Sequence, residues 1–486
     1  MARRGALQSG VLYAAIGAVA SLLPPVLARL DTPFIATTYG SPFTKFELLG
    51  LTGALALAAV ALLELRRRGA EGWQQRLELL VPFLVALHFL TLISEYATKP
   101  FDYDCYEYAG RALLLGENPH LRGLIYLYPP LTAQAMALAF RVVEFLTGQL
   151  GWSLGRDAVW DHVFYLYQCA QLHLILLTYF LCRFLARQAG LASLWASLLV
   201  AALLLFDNAL FRTLRHGQIN LWVLDFALIG ILFSRRAPLL SGVGIALAAH
   251  LKLYPLILLI PLVASGRWRA MLWTFVAFTG IALLQTDLGR DWTVWGWFVD
   301  FFLAHFPGEK ALRNNSLHSL FFNLLKLFFA DRSPGLWGRV LGAGLSLATL
   351  AAGVWFLQRL WVRERDYRAV ASAGQAGDDS ARDERRFLAH GADALAFALL
   401  FSPSVWEHHY VLALPLALWA VATRWRERPG GLALGIFLML AMPTFDLFPL
   451  SYHRLAGMLL LLGLTSPGAL ARFEERGEEK CQTASD

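Results

Sequence analysis

The chain has 486 residues, of which 57% are hydrophobic and only 16% are charged, and its mean hydropathy is +0.51. A soluble domain carries about 45–50% apolar and about 25% charged residues, so this composition excludes a soluble globular protein. The net charge of +7 comes from short basic clusters between long apolar runs. That arrangement follows the positive-inside rule and argues against a nucleic-acid-binding surface. The four cysteines have no metal-ligand spacing, so neither a zinc site nor a disulfide framework is indicated.

Apolar runs long enough to cross a membrane recur along the whole chain. The first follows a basic segment and resembles a signal peptide, but it is long and no small-residue cleavage site follows, so we interpret it as an uncleaved span. The sequence therefore predicts an all-α, polytopic transmembrane fold. The predicted spans are 10–28, 47–65, 78–95, 161–185, 190–206, 220–234, 270–286, 337–360, 388–402, 411–423, 431–445 and 454–470.

Basic clusters such as Arg66–Arg68 mark one side of the membrane as cytoplasmic. To keep these clusters on one side, residues 96–160 must form an outer loop that returns without crossing, with an interfacial helix over 131–148. For the same reason, residues 238–265 must form two short helices joined near Lys252. The sequence thus predicts about fourteen helical segments, with both termini cytoplasmic.

The outer loop opens with the acidic stretch FDYDCYEY, which contains Asp102 and Asp104. A carboxylate held at a membrane surface can take a proton from a sugar hydroxyl, or it can bind a divalent cation through its oxygens. A solvated loop acid is the alternative. The later Tyr-Pro-Pro sequence, which begins at Tyr128, predicts a rigid turn into a helix, because proline fixes φ and has no N–H donor.

Two basic motifs interrupt apolar segments further along the chain. RTLRHGQIN contains Arg212, Arg215 and His216 on the predicted outer side, where the positive-inside rule disfavours cations. Phosphate binding through the guanidinium fork is therefore favoured over simple interfacial snorkelling. Lys252 breaks an apolar hairpin, where a lysine is costly and is by default a functional hypothesis. A lysine that snorkels and pairs with a carbonyl is the alternative.

Two further polar segments precede apolar runs. RNNSLHSL contains Arg313 and Asn314, and a helix N-cap is the ordinary interpretation of this pattern. SPSVWEHHY contains Trp406, His408 and His409. Adjacent histidines on a helix point in different directions, so a two-histidine metal site is not predicted. One histidine beside a phosphate or an acceptor hydroxyl is favoured.

Taken in order, these motifs resemble those of the polytopic GT-C glycosyltransferases. The resemblance is closest to glycosyltransferase family 87, the polyprenol-phosphate-mannose-dependent α-mannosyltransferase type, and it covers about residues 78–460. The chain departs from the family pattern in two additional N-terminal spans, in His120 where a tyrosine is common, and in the second carboxylate of Asp104. The matching residues are Asp102, Tyr106, Ala109, Leu113, Leu114, Gly116, Tyr128, Pro129, Pro130, Gly217, Gln218, Asn220, Lys252, Pro255, Asn314, Ser316, Leu317, Ser402, Pro403, Trp406, His408 and His409.

The resemblance implies transfer of a hexose, most simply mannose, from a polyprenyl-phosphate sugar to a lipid or glycan acceptor, with inversion. The implied site faces the extracytoplasmic side of the cell (inner) membrane. No cofactor, metal ion or nucleotide-sugar site is implied, and the sequence has no Gly-rich phosphate loop. The implied catalytic residues are Asp102, as general base, with His408 and His409, and the implied substrate-binding residues are Asp104, Tyr106, Tyr128, Arg212, Arg215, His216, Gln218, Asn220, Lys252, Arg313, Asn314 and Trp406.

The apolar runs and basic clusters, together with the extent of the resemblance, predict a division of the chain into three parts. These are an N-terminal transmembrane pair at 1–77, a GT-C-like catalytic module at 78–470 and a cytoplasmic tail at 471–486. Within the module, 287–335 is expected to be a second outer loop. The stretch 363–386 is expected to be a charged, mobile cytoplasmic linker, because its composition is typical of disorder.

Two other functions stay open at this point. A GT-C transferase that uses another polyprenyl-phosphate sugar, such as arabinose, or that glycosylates protein, would show the same outline. A lipid or sugar transporter is less favoured. No internal repeat is visible, and the acidic residues cluster in loops at one surface instead of following a path through the membrane.

Overall fold

The computed structural model describes most of the predicted module. The described residues are 78, 80–86, 88–89, 93, 99–121, 126–152, 154–305, 314–329, 334–372, 379–445 and 447–467. The predicted N-terminal pair, the predicted tail and the candidate Arg313 lie outside these residues.

Where the chain is described, the fold is all-α as predicted, with one isolated β-bridge between Asn314 and Trp406. The α-helices are α1 (Phe101–Leu114), α2 (Pro130–Gln149), α3 (Arg156–Gln188), α4 (Ser193–Phe206), α5 (Asn208–Arg215), α6 (Asn220–Phe233), α7 (Pro238–Leu251), α8 (Leu259–Ala264), α9 (Trp268–Gln285), α10 (Thr293–His305), α11 (Leu317–Phe329), α12 (Pro334–Ser372), α13 (Asp379–Phe401), α14 (Leu414–Arg424), α15 (Pro429–Ile436) and α16 (His453–Leu464). Short 3₁₀ segments cover Tyr254–Leu258, Glu407–Ala413 and Leu450–Tyr452, and Phe437–Ala441 is a π-helical turn.

Local chemistry determines where several of these helices begin. Pro130 opens α2 and Pro238 opens α7, because the missing N–H of proline is not needed in the first helical turn. Asp207 caps α5 by accepting the N–H groups of Ala209 and Leu210 at 2.8 and 3.1 Å. The helix predicted over 131–148 is thus present as α2, one residue longer at each end than expected.

The central packing unit is α7, which lies against α6 on one side and α9 on the other. Glycines allow this close approach. A Cβ on Gly244 would lie 2.7 Å from the carbonyl oxygen of Phe226, and one on Gly242 would lie 2.5 Å from the backbone of Trp273. Such close backbone contacts are common between helices packed in a membrane. The hydrophobic effect does not drive helix association there, so close packing through small residues contributes instead.

The break predicted near Lys252 is present. Helix α7 ends at Leu251, Lys252 has extended backbone angles, and the chain continues as a 3₁₀ turn and then α8. Residues 238–265 therefore form separate helical segments on either side of the lysine, as the sequence predicted.

Two helices in the described part of the chain are long and apolar enough to cross a membrane, Arg156–Gln188 and Gly338–Val370. A third span results if Ser193–Phe206 and Asn208–Arg215, which meet at 56°, are counted as one bent element. The other apolar helices are shorter. The sequence-based figure of about fourteen segments, and the orientation of the termini, stay predictions.

Large apolar side chains on α9 and α12 face outwards. Leu272 and Leu284 on α9, and Leu347 and Leu350 on α12, are all exposed. Exposed apolar surface on this scale is typical of contact with lipid and not with water. Together with the apolar helices, it identifies a membrane protein.

The charged segment 363–386 differs from the expected linker. Helix α12 continues to Ser372 and α13 begins at Asp379, so the charged residues on both sides are helical. Arg386 contacts Glu364 at 2.6 Å, which joins the two helices. Composition alone predicts disorder here because it does not reveal that opposite charges on neighbouring helices pair with each other.

Candidate active site

Four segments bring their polar residues to one place. The first turn of α1 provides Asp102, and the turn between α5 and α6 provides His216 and Gln218. The break after α7 provides Lys252, and the 3₁₀ segment after α13 provides His408. These residues are far apart in sequence, so only the packing of the helices assembles them.

Gln218 connects the acid to two aromatic side chains. Its amide N–H donates to the carboxylate of Asp102. Its Oε1 accepts the hydroxyl groups of Tyr128, at 2.9 Å, and Tyr106, at 3.3 Å. One buried amide thereby uses both of its functional groups, which fixes the orientation of the Asp102 carboxylate.

Burial raises the pKa of Asp102 above its ordinary value, because the charged form loses its hydration. The hydrogen bond from Gln218 and the charges of His216 and Lys252 act in the opposite direction. A carboxylate whose pKa moves towards neutral pH is a stronger proton acceptor than an exposed one. A carboxylate in this environment can accept a proton from a hydroxyl group.

Asp104 lies on a different face of α1, because two positions along a helix are about 200° apart. Its electrostatic neighbours are Glu107, which together with burial raises its pKa, and Lys99, which lowers it. Lys99 also pairs with Glu107 at 2.8 Å. The structure therefore separates the two acids of the FDYD sequence, and Asp102 is the one beside His216 and Lys252.

The turn that carries Gln218 requires a glycine at 217. Gly217 has φ +66°, and a Cβ there would lie 3.0 Å from the Cβ of Tyr103 on α1. From α3, the hydroxyl of Tyr167 donates to the Gly217 carbonyl at 2.5 Å, and Gln171 donates to the Gln218 carbonyl at 3.0 Å. Sequence reasoning missed these two α3 residues, although polar side chains four positions apart on an apolar helix were a usable signal.

Lys252 is buried beside the acid. Its Nζ lies 2.6 Å from Oδ1 of Asn220 and 2.9 Å from Nε2 of His409. The ring centroid of Tyr128 is 5.2 Å from the same nitrogen. The lysine therefore connects the Gly-Gln-x-Asn turn, the Tyr-Pro-Pro turn and the histidine pair.

The backbone at His408 is fixed by the residues of the neighbouring turn. Its carbonyl accepts the hydroxyl of Thr213 at 3.0 Å and the amide of Asn220 at 3.2 Å. Its ring lies beside that of His216, with centroids 5.9 Å apart. Burial lowers the pKa of His408, and positive charge on Lys252 or His216 lowers it further whenever either group is protonated. The ring is therefore neutral at pH 7.

The two predicted arginines have different environments. Arg212 pairs with Glu407 at 3.2 Å, and this carboxylate is only 3% exposed. Glu407 is a third residue whose role sequence reasoning missed. Arg215 lies exposed at the end of α5. Arg212 thus helps to hold the 3₁₀ segment, while Arg215 is accessible beside it.

Asn314 holds the turn that carries the histidines. Its Oδ1 accepts the N–H of Val405 at 2.8 Å, and its amide donates to the carbonyl of Pro403 at 3.3 Å. Trp406 is the N-cap of the 3₁₀ segment, and its backbone N–H donates to Nδ1 of His409 at 3.0 Å. Asn314 therefore contacts the backbone that precedes the histidines and helps to fix their position.

The cluster combines one partly buried carboxylate with a lysine, histidines and an accessible arginine. Such a set can remove a proton from a hydroxyl and stabilise an anion that departs on the opposite side. No group of three or more metal-ligating side chains occurs among the described residues. The fold and the site together define a helical membrane protein with a buried acid–base centre.

The particular family follows from the sequence. Residues 126–377 match the family model of glycosyltransferase family 87. The chain belongs to this family and is a membrane glycosyltransferase. The matched range includes Tyr128, the turn around Gln218, and Lys252, whereas Asp102 and His408 lie outside it.

Two curated relatives from Mycobacterium tuberculosis are similar to this chain. A polyprenol-phosphate-mannose-dependent alpha-(1-2)-phosphatidylinositol mannoside mannosyltransferase of strain ATCC 25618 / H37Rv is 29% identical over 329 residues, which is 62% of this chain and 70% of the relative. A polyprenol-phosphate-mannose-dependent alpha-(1-2)-phosphatidylinositol pentamannoside mannosyltransferase of strain CDC 1551 / Oshkosh is 28% identical over 243 residues, 50% of this chain and 49% of the relative. The chain thus spans about half the length of the second. No solved structure matches it.

Proposed function

We propose that this protein transfers a mannosyl group from polyprenol-phosphate-mannose to a hydroxyl group of a lipid-linked glycan. Membership in glycosyltransferase family 87 and the names of both relatives support the donor. The phosphatidylinositol mannosides in those names support an acceptor of the same chemical type, a glycan carried on a lipid.

The observation that carries the proposal is the environment of Asp102. A partly buried carboxylate, oriented by Gln218, lies within electrostatic range of His216 and Lys252. Proton removal from an acceptor hydroxyl needs the carboxylate, and departure of a lipid phosphate needs the basic groups. One site contains both.

The reaction follows from this arrangement. The acceptor oxygen attacks the anomeric carbon of the donor sugar while Asp102 takes the hydroxyl proton. The bond from the anomeric carbon to the phosphate oxygen breaks, and its electron pair stays on the phosphate. Attack opposite the leaving group inverts the anomeric centre. A positioned general base contributes typically about 10²–10⁴-fold to the rate.

The departing phosphate gains negative charge, which Lys252, His216 and His408 are placed to stabilise. Arg215 is accessible to the same anion. Arg212 acts differently, because its guanidinium is already paired with Glu407 and positions the 3₁₀ segment.

Sidedness completes the proposal. In the topology that the basic clusters favour, Asp102, the Gln218 turn and the histidines all face the extracytoplasmic side of the cell membrane. Donor and acceptor then meet at the outer leaflet. The transfer reaction needs no soluble nucleotide sugar, because the donor sugar is carried on a lipid.

The test is radiolabelled mannose transfer in proteoliposomes that contain polyprenol-phosphate-mannose and native lipids. Asp102→Asn should lower the transfer rate by about 10²–10⁴-fold, the contribution of a general base. Asp104→Asn is the matched control, because it makes the same change two residues away on the other face, and it should keep most of the activity.

Two results would contradict the proposal in different ways. If Asp104→Asn abolished transfer and Asp102→Asn did not, the base would be wrongly assigned. If the wild type transferred arabinose from polyprenyl-phosphate-arabinose and did not transfer mannose, the proposed donor sugar would be wrong. The proposed site residues would not be contradicted by that result.

A further inference from the structure

The hydrogen bonds of His409 determine where its proton lies. The backbone N–H of Trp406 donates to Nδ1 of His409 at 3.0 Å. A backbone N–H can only donate, so Nδ1 carries no proton and accepts with its lone pair. A neutral imidazole with an unprotonated Nδ1 carries its single proton on Nε2.

The proton on Nε2 has a consequence for Lys252, whose Nζ lies 2.9 Å away. The Nε2–H group donates across this contact, so Nζ must accept. An ammonium has three N–H donors and no lone pair, whereas a neutral amine has one lone pair. Doubly protonated His409 is excluded, because its Nδ1–H would face the N–H of Trp406. These contacts therefore hold Lys252 as a neutral amine.

The other groups around Lys252 act in both directions. One of its N–H groups donates to Oδ1 of Asn220 at 2.6 Å, which a neutral amine can do. The ring of Tyr128 and the buried ring of His408 lie near it from other elements. Burial is the larger influence on Lys252 and favours the uncharged amine, whereas the Asp102 carboxylate favours the ammonium.

We propose that Lys252 is stored as a neutral amine by His409 and takes up one proton when the phosphate of the donor enters. His409 is then a positioning residue, which acts on the substrate through Lys252. The identity of the entering anion rests on the function proposed above. The geometry at His409 does not.

The proton balance is simple. The lone pair of Lys252 that accepts Nε2–H takes one proton from solvent when the donor phosphate enters, and the resulting ammonium pairs with the phosphate anion. His409 keeps its Nε2–H, which turns to a phosphate oxygen. When the sugar–phosphate bond breaks, the phosphate gains a second negative charge beside a cation that was absent before binding. The proton of the acceptor hydroxyl goes separately to Asp102.

The first test needs no donor. The chain contains six lysines, so NMR of the ¹³C-labelled lysine side-chain methylene next to Nζ resolves them, and Lys252→Arg assigns the signal. In the ligand-free enzyme, the Lys252 signal should correspond to a neutral amine at pH 8. A Lys252 signal that corresponds to an ammonium at pH 8 would overturn the proposal.

A pair of variants tests the role of His409. Gln at 409 can present a carbonyl oxygen to Nζ, so His409→Gln should make Lys252 an ammonium at pH 8. His408→Gln changes the adjacent ring and leaves the Nε2–Nζ contact, so Lys252 should stay neutral. A neutral Lys252 in both variants would show that His409 does not set its state.

The second test measures proton uptake on binding by calorimetry at pH 8, in buffers of different ionisation enthalpy. The ligand is a polyprenyl methyl phosphate, a diester that does not itself titrate near neutral pH. The wild type should take up about one proton for each ligand bound, and Lys252→Arg none. Binding without uptake by the wild type would overturn the coupling. No binding at all would count against the proposed function, and the NMR test would still decide the state of Lys252.

Discussion

At the scale of single residues, Asp102 shows how a partly buried acid is kept usable. Burial raises its pKa, and the hydrogen bond from Gln218 is the largest of the effects that oppose the rise. Gln218 has no charge of its own. It acts by stabilising the carboxylate form, which is the form that a general base must have before it can accept a proton.

The pH profile of transfer should report this balance. The proposed reaction requires the Asp102 carboxylate, so kcat/KM should fall as pH decreases through a pKa above the ordinary value of about 3.9. Gln218→Leu removes a bond that lowers the pKa, so the acidic limb should move to higher pH. The maximal rate should fall by about 10–100-fold, because a hydrogen bond to a charged group contributes about 1.5–3 kcal/mol.

Gln188→Leu provides the control, since Gln188 contacts Glu384 at the far end of α3. Its acidic limb should coincide with that of the wild type. A Gln218→Leu limb at unchanged pH would show that this amide does not control the base.

At the scale of elements, the site depends on how turns are fixed against helices. The turn at Gly217 is held by α1 from one side and by α3 from the other, and the 3₁₀ segment at His408 is held by the α5–α6 turn and by Asn314. The reactive groups stand on short turns, while the long helices behind them provide rigidity.

Two glycines with similar backbone angles allow the effect of backbone strain to be distinguished from the effect of a side-chain clash. Gly116 has φ +73°, and a Cβ added there would have nothing within 4 Å, whereas Gly217 has φ +66° and a close neighbour on α1. Alanine at either position should lower stability by about 1 kcal/mol, because L residues disfavour positive φ. Only Gly217→Ala should also reduce transfer, since it pushes the turn away from Tyr103.

Thermal unfolding and initial rates, measured on the same preparations, test this pair. Equal loss of activity in both variants would mean that strain alone, and not the contact with α1, is responsible.

Asn314 provides a second element-scale prediction. Asn314→Ala removes the side-chain hydrogen bonds to the N–H of Val405 and the carbonyl of Pro403. The free energy of unfolding should fall by about 1–3 kcal/mol for each of these buried groups that is left unsatisfied. Because the turn it holds carries the histidines, the KM for the donor should rise by roughly an order of magnitude. Asn323→Ala is the control, since Asn323 bonds Ser319 and Tyr452 on α11 and near α16.

The control should lose comparable stability, seen in the unfolding temperature, and keep the KM of the wild type. If both variants kept that KM, Asn314 would have no influence on the donor site.

At the scale of the whole molecule, the described chain has a second buried charged cluster, which lies between α12 and α13. Asp393 pairs with Arg359 at 2.7 Å and with Arg363 at 2.6 Å, and all three are buried. Asp393 lies eight residues before the end of α13, about 12 Å along the helix axis, and the histidine segment begins beyond that end. This cluster joins α12 to α13 and lies away from the chemistry.

Asp393→Asn should therefore affect stability and not catalysis. Two guanidinium groups would lose their shared carboxylate inside the protein, and breaking a buried pair costs about 3–5 kcal/mol. Combined replacement by Leu at 393 and Met at 359 and 363 should recover much of this loss, because it removes all the buried charges. The measurements are unfolding temperature in detergent and the transfer rate per folded molecule.

A loss of transfer rate in folded Asp393→Asn protein would show that the cluster is coupled to the site. A single variant as stable as the wild type would show that the charges are hydrated and not buried.

The sequence by itself determined the membrane class, the all-α fold, helix α2 and the break at Lys252, because hydropathy, proline and charge act locally. It also placed Asp102, Gln218, Lys252 and the histidines in one candidate site through their resemblance to a family. It did not determine which of two acids faces the basic groups.

The tertiary structure decided that question, along with the roles of Tyr167, Gln171 and Glu407 and the helical state of residues 363–372. All of these depend on contacts between segments that are distant in the chain. The direction in which a side chain points, and the partner that satisfies a buried charge, are set by helix packing, which no local pattern of residues records.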